Sequence, residues 1–282
     1  MTTVAVLGTG KMGGAMARRL AASGFDLVLW NRTPEKAEQL HVGRVAATPA
    51  DAARDADVVI SSLTNDVAVR TVYLGEDGVL RSAIGKLLIE MSTAGPQVAE
   101  ELEHAAQAKG ARLVEAPVVG SVPAVESGKL LILAGGDQGD VELARAVLDH
   151  LGEVQYVGAR SGAQRLKLIA NSMLGITSAA AAELLNAGTA AGLDRARVFS
   201  ILVRFAPGLA ARERGFLHDQ HTPTMFAVRD LVKDLDLGLR AYGESGVATP
   251  LTQQTRELFA QAMRESADLD ISAIVRSGSP PR

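Results

Sequence analysis

Short apolar runs of strand length alternate with segments of helical periodicity through the first half of the chain. Val4-Ala5-Val6-Leu7 is such a run, Gly8 to Gly13 follow it, and Ala15, Met16, Leu20 and Ala21 then recur at helical spacing up to Ser23-Gly24. A second run, Leu27 to Trp30, stops at Asn31-Arg32-Thr33-Pro34, where Pro34 suits the first turn of another helix and Thr33 its N-cap. Val58 to Ser62, Leu87 to Met91, Arg112 to Ala116 and Lys129 to Ala134 read as further strands. Helical stretches such as Gln97 to Ala108 and Val141 to Leu151 lie between them. Alternation of this kind predicts an α/β unit, a doubly wound and mostly parallel sheet covered by helices on both faces.

After Val154-Gln155-Tyr156-Val157 the pattern changes, and only helical periodicity remains. Leu166, Ile169, Met173, Ile176 and Ala180 fit one face of a helix that runs to about Ala191, long for a globular helix. Shorter segments follow around Arg195–Arg204, Ala227–Glu244 and Pro250–Ser266, and the tail Ser277 to Arg282 reads as disordered. The expected organisation is two domains, residues 1–159 and an all-helical 160–282, joined by the long helix.

Composition narrows the chemistry. The 282 residues include no Cys, which excludes disulfides, thiolate nucleophiles, thiolate zinc sites and iron–sulfur ligation. A net charge of −3 provides no basic footprint for nucleic acid. Met1-Thr2-Thr3 leads straight into the first strand without a basic and then apolar leader, so no secretory signal is expected. The most apolar stretch, Ile176 to Leu193, carries Glu183, Asn186 and two Gly and reads as a buried helix rather than a membrane span. The expectation is a soluble cytoplasmic protein that engages neither nucleic acid nor membrane.

Gly8, Gly10 and Gly13 form G-x-G-x-x-G between a strand and a helix, the context that gives this motif its meaning. The first Gly allows a tight turn, the second lets backbone approach a pyrophosphate, and the third lets helix and strand pack closely. Dinucleotide binding in a Rossmann-like domain is the reading, with a glycine-rich turn lacking a ligand as the bland alternative. An NAD-preferring site ends its second strand with Asp or Glu about 20 residues on, to hold the ribose 2′-hydroxyl. Here Asn31-Arg32-Thr33 stands there; a guanidinium pairs with a 2′-phosphate, so NADP(H) is expected over NAD(H).

Lys167 and Asn171, four residues apart on the long helix, project from one face amid Leu166, Leu168, Ile169, Ala170 and Met173. Two readings stand. The lysine snorkels to water, or it faces a cleft beside nicotinamide and protonates a carbonyl oxygen as hydride arrives, while Asn171 orients the substrate. His218 and His221 lack further ligands and read as solvated loop residues rather than a metal pair. Ser61, Ser62 and Ser92 have no visible His and acid partners, and Lys36-Ala37-Glu38 and Arg212-Glu213-Arg214 read as solvated helix faces.

Taken in order, these motifs resemble the β-hydroxyacid dehydrogenase family over nearly the whole chain. Members include 3-hydroxyisobutyrate dehydrogenases, tartronate semialdehyde reductases and glyoxylate/succinic semialdehyde reductases. Gly8-Thr9-Gly10-Lys11-Met12-Gly13 is similar to its N-terminal signature and Asn31-Arg32-Thr33 to its NADP-type second-strand end. Leu63-Thr64 sits where the family places a loop over the cofactor, and Ser92-Thr93 with Pro96 matches the segment against the nicotinamide ribose. Glu115-Ala116-Pro117-Val118 through Gly128 resembles the substrate loop, and Gly158 with Lys167 and Asn171 the catalytic segment. Phe226 and Lys233-Asp234-Leu235 resemble the segment that closes over cofactor and substrate.

The resemblance implies hydride transfer between nicotinamide and a small carboxylate-bearing hydroxy acid or its carbonyl partner. It makes Lys167 the general acid in reduction and the proton acceptor in oxidation, with Asn171 holding the substrate. It assigns substrate contacts to Val119, Gly120, Ser121, Phe226 and Asp234, places Lys233 near the nicotinamide, and implies a homodimer or homotetramer through the helical domain. Two departures bear on substrate identity. Val119-Gly120-Ser121 stands where the family usually has Ser-Gly-Gly, so a hydroxyl donor is lost at Val119, and Ala170 replaces the first of two adjacent Asn residues. The rival readings are an imine reductase-like enzyme on the same scaffold and a non-catalytic cofactor-binding module; relatives of both kinds usually lack the lysine.

Overall fold

The computed structural model describes residues 2–158 and 161–277. The chain divides into two compact units, Met1–Lys167 and Leu168–Arg282. The expected domain boundary at 159/160, and the tail from residue 278 on, lie outside the described residues.

In the first unit, β1 (Thr3–Leu7), β2 (Asp26–Trp30), β3 (Arg44–Val45), β4 (Val58–Ser61), β5 (Leu87–Glu90) and β6 (Arg112–Glu115) form a six-stranded sheet in the order β3-β2-β1-β4-β5-β6. Every pairing in it is parallel. The strands read as continuous apolar runs because both faces are covered. Val4 and Val6 pack into one core cluster with Ile60, Ile89 and Val114, while Ala5 and Leu7 pack into a second with Val59 and Leu88. The connecting helices are α1 (Lys11–Ala22), α2 (Pro34–Glu38), α3 (Pro49–Arg54), α4 (Asp66–Leu74) and α5 (Pro96–Ala108). Sheet order reverses between β1 and β4, the switch point at which open α/β sheets bind ligands outside the carboxyl ends of their strands.

A second, three-stranded sheet departs from the single sheet that the alternation suggests. β7 (Val118–Val119) pairs antiparallel with β8 (Leu130–Ala134), which pairs parallel with β9 (Gly152–Tyr156). Short α6 (Val122–Glu126) and α7 (Gln138–Leu148) join them. The segment Lys129–Ala134, read as one more strand of the parallel sheet, belongs here instead. Two-residue β3 and β7 are too short to carry an alternation signal, and neither was visible in the sequence pattern.

The second unit is helical. α8 (Gly162–Ala190) begins in the first unit and continues into the second, followed by α9 (Arg195–Phe205), α10 (Glu213–His218), α11 (Val228–Glu244) and α12 (Pro250–Ser266). Phe199, Phe216, Leu231, Leu235, Phe259 and Ile274 lie in its core. The apolar stripe of α8 lies largely exposed, Ile169 by 53% and Met173 by 60%. Its buried side carries Gln164, Lys167, Asn171, Ser172 and Ser178 beside Leu168, Leu185 and several alanines. His221, read as a solvated loop residue, is also buried; its imidazole bonds Ser272 Oγ at 2.9 Å and Asp219 Oδ1 at 2.8 Å.

Candidate active site

Register across the parallel sheet sets Trp30, Leu7, Ser61, Glu90 and Glu115 in one row at the carboxyl edge. The residues just beyond them, and therefore the loops carrying most of the predicted cofactor residues, share that edge. Gly8 is the tight turn: its φ is +88°, and a Cβ there would stand 2.3 Å from Ser62 O. At Gly13 a Cβ would meet Gly8 O at 1.9 Å, so helix α1 packs on the strand end only without a side chain. At Gly10, by contrast, a Cβ would enter open space. Bareness at that position leaves the backbone approachable from outside. No side chain caps the first turn of α1 among the described residues, and that turn holds no acid. Thr9 Oγ1 is buried without a hydrogen-bond partner. An exposed glycine backbone, uncapped helical N–H groups and an unsatisfied hydroxyl fit a pyrophosphate.

Asn31 ties this turn to the second strand end, its Oδ1 accepting from Thr9 N at 3.0 Å and its Nδ2 donating to Thr33 O at 2.9 Å. Asn31 thus supports the glycine turn through its amide, whereas Arg32 and Thr33 are exposed beside it. Thr33 does precede a helix with Pro34 at its start, but its hydroxyl makes no capping bond. An open recess of about 410 Å³ lies alongside, lined by Thr9, Gly10, Lys11, Arg18, Lys36 and Gln39 among others. Three cations and no carboxylate line it among the described residues. Lys36, read in the sequence as a solvated helix face, is one of them. The signal that could have found it is position, one turn into the helix that follows Arg32. Met12 is half-buried and packs against the core of the sheet.

Beyond β4, Leu63 is half-buried and Thr64 exposed, and Leu63 N donates to Ser92 Oγ at 2.7 Å. Beyond β5, Ser92 N donates to Glu90 Oε1 at 3.0 Å, and half-buried Thr93 follows. Glu90 is held in a buried polar cluster with Ser61 and Tyr73, and burial pushes its carboxyl up to about 7. Burial likewise raises the Glu115 carboxyl, opposed by the bond it accepts from Ser161 N at 2.7 Å. Val119 belongs to the smaller sheet, and Gly120 and Ser121 to the turn into α6. There Val119 pairs with Leu131 and Gly120 takes a φ of +141°.

Lys167 is buried on α8, with 8% of its surface exposed, so its side chain does not lie in bulk solvent. Asn171 stands one helical turn further on. Within the helical unit its Nδ2 donates to Asp234 Oδ2 at 2.6 Å, and Asp234 Oδ1 pairs with Lys233 Nζ at 2.9 Å. The structure therefore joins three predicted site residues in one chain of contacts. Phe226 packs on the helical core, and its N–H donates to Asp270 Oδ2 at 3.1 Å.

Comparison with known proteins gives the chain's relatives. Residues 3–158 match the NAD binding domain of 6-phosphogluconate dehydrogenase. Residues 161–277 match the family described as NAD-binding of NADP-dependent 3-hydroxyisobutyrate dehydrogenase. The 3-hydroxyisobutyrate dehydrogenase of Pseudomonas aeruginosa is 35% identical, covering 97% of both chains. The chain belongs to the β-hydroxyacid dehydrogenase family. It is an NAD(P)-dependent dehydrogenase by that membership, with its dinucleotide domain in residues 3–158. Among other members, glyoxylate/succinic semialdehyde reductase 1 of Arabidopsis thaliana is 32% identical over 97% of each chain. The structure of Mycobacterium tuberculosis 3-hydroxyisobutyrate dehydrogenase with L-serine superposes at a TM-score of 0.84, with 27% identity and 98% and 99% of the two chains covered.

Proposed function

We propose that this β-hydroxyacid dehydrogenase prefers NADPH and interconverts a small carboxylate-bearing carbonyl compound and its hydroxy acid. The bound cofactor supplies or accepts the hydride at the substrate carbon. Lys167 delivers the accompanying proton to the carbonyl oxygen in reduction and removes it from the hydroxyl in oxidation. Asn171 orients the substrate, its amide held by Asp234. The backbone around Gly120 and Ser121 receives the substrate carboxylate, since Val119 offers no hydroxyl.

The observation that carries the reading is the burial of Lys167 four residues before buried Asn171, on a helix whose buried side also holds Gln164, Ser172 and Ser178 beside Leu168 and Leu185. A lysine withdrawn from bulk water on the same helix side as a buried Asn is the arrangement the family's proton transfer uses. Arg32, exposed at the end of β2, together with the cationic recess of Lys11, Arg18 and Lys36, supports the phosphorylated cofactor. A panel of glyoxylate, small semialdehyde acids and cyclic imines, run with NADPH and with NADH, tests the proposal. Oxidation of NADPH by carbonyl acids alone supports it. Turnover of imines, or none of any carbonyl, rejects it in favour of the imine reductase or non-catalytic reading.

The partner proposed for the helical unit is a second copy of the chain. Leu166, Ile169, Met173 and Leu184 lie exposed along one helix, an apolar stripe of the kind that marks a protein interface. Sedimentation of the wild type as a dimer or tetramer, and of Ile169→Lys/Met173→Lys as a smaller species, supports that assignment; a monomeric wild type rejects it.

A further inference from the structure

Gln164 is fully buried in the first turn of α8, at 0% exposure, on a helix where alanine or leucine would be the ordinary choice. A buried carboxamide is costly unless its groups are matched. Here they are. Its Oε1 accepts from Ala94 N at 3.1 Å, while its Nε2 donates to Ser92 O at 3.0 Å and lies 3.4 Å from Glu90 Oε2. The two backbone contacts fall on either side of Thr93, so one amide grips the loop beyond β5 at both flanks of the residue expected against the nicotinamide ribose. That loop is tied in turn to the one beyond β4, through Leu63 N and Ser92 Oγ. Glu115 adds a second tie at the root of the helix, through Ser161 N.

Gln164, Lys167 and Asn171 stand at i, i+3 and i+7, on one side of the helix. Three residues at about 1.5 Å rise separate the grip from the lysine by less than a turn. We propose that Gln164 is a positioning residue, its carboxamide setting the register between the Ser92–Ala94 loop and the turn of α8 that bears Lys167. Its chemistry is specific. Leu at this position would leave the Ala94 N–H, the Ser92 carbonyl and Glu90 without their partner. A carboxylate would satisfy Ala94 N but face the Ser92 carbonyl oxygen with no hydrogen to give. A protonated carboxyl, however, presents the same acceptor and donor as the amide. The inference rests on the reading of Lys167 as the proton carrier, because the register matters through the placement of that ammonium.

The test compares Gln164→Leu, Gln164→Glu and Lys167→Ala with the wild type, using the carbonyl acid reduced fastest in the panel. NADPH affinity is read by fluorescence, and exchange protection of the Ala94 amide by hydrogen–deuterium exchange. Gln164→Leu is expected to lose Ala94 protection and at least about tenfold in kcat, with NADPH affinity within about threefold of wild type. In Gln164→Glu the introduced carboxyl lies beside Glu90, which favours its protonated form. The ratio of wild-type to variant kcat should therefore shrink as pH falls from about 8 to about 5.5, whereas a purely structural contribution would leave that ratio flat. Unchanged kcat in Gln164→Leu, retained Ala94 protection, or a ratio independent of pH overturns the proposal. Should Gln164→Leu fail to fold, the pH ratio of Gln164→Glu decides. Near-normal turnover in Lys167→Ala strikes the lysine reading instead, whatever Gln164 does. Loss in Lys167→Ala beside an unchanged Gln164→Leu strikes the brace alone.

Discussion

Asn171 donates its amide hydrogen to Asp234 Oδ2 at 2.6 Å, between positions 63 residues apart in the chain. The contact settles which end of the carboxamide is nitrogen, and so which way the oxygen of Asn171 is presented. Asp234 is itself buried at 2% exposure and neutralised by Lys233, so the three side chains hold one another. A hydrogen bond to a charged, buried acceptor contributes about 1.5–3 kcal/mol. Asp234→Ala should therefore lower the stability of the helical unit by that order, seen as a lower urea midpoint by circular dichroism. It should also raise the substrate KM as the Asn171 amide loses its anchor. A midpoint and KM both equal to wild type would show the contact to be incidental.

Glu90 gives the fold a pH dependence of opposite sign to a salt-bridged acid. Its carboxyl rises from an ordinary 4.5 to about 7, first because burial disfavours the charge, with the neighbouring Glu115 adding repulsion. The folded state then binds a proton more tightly than the unfolded chain between those two values. The stabilisation is complete below about 4.5 and is lost as pH rises through about 7. The shift corresponds to on the order of 3 kcal/mol across that window. Glu90→Gln removes the titration, so its stability measured against wild type should improve by that order between pH 4.5 and 8. Urea denaturation at both pH values checks this; parallel curves would refute it.

Much of the dinucleotide domain was legible because its physics is local. Val4 to Leu7, Val58 to Ser61 and Leu87 to Glu90 are unbroken apolar runs since both sheet faces are covered, and glycine spacing marks the turn between strand and helix. The long helix was legible in extent, but which of its faces is buried was not. Leu166, Ile169 and Met173 recur at helical spacing and are exposed, while the buried side holds Gln164, Lys167 and Asn171. Periodicity reports that a face is covered without saying by what. Burial of these polar residues depends on partners such as Ser92, 72 positions away, and Asp234, 63 away, which no local window contains. His221 escaped for the same reason, its ring matched to Ser272 across 51 positions.

Cofactor preference has its own test in Arg32, which stands exposed at the end of β2 where an NAD-preferring site carries an acid. Arg32→Ala should raise the KM for NADPH by about tenfold, the worth of one charge-assisted contact of about 1.4 kcal/mol, with little effect on the KM for NADH. Comparable efficiency with both cofactors in the wild type, or an unmoved NADPH constant in the variant, would remove the assignment.

The buried ammonium of Lys167 is the point on which the proposed chemistry turns. General acids of this kind contribute about 10²–10⁴ to turnover. The direct measurement is single-turnover reduction of the preferred carbonyl acid by Lys167→Ala with NADPH binding followed in parallel. A fall of at least about a hundredfold in the hydride-transfer rate, with NADPH affinity retained, is the predicted result. A rate within a few-fold of wild type would contradict the account.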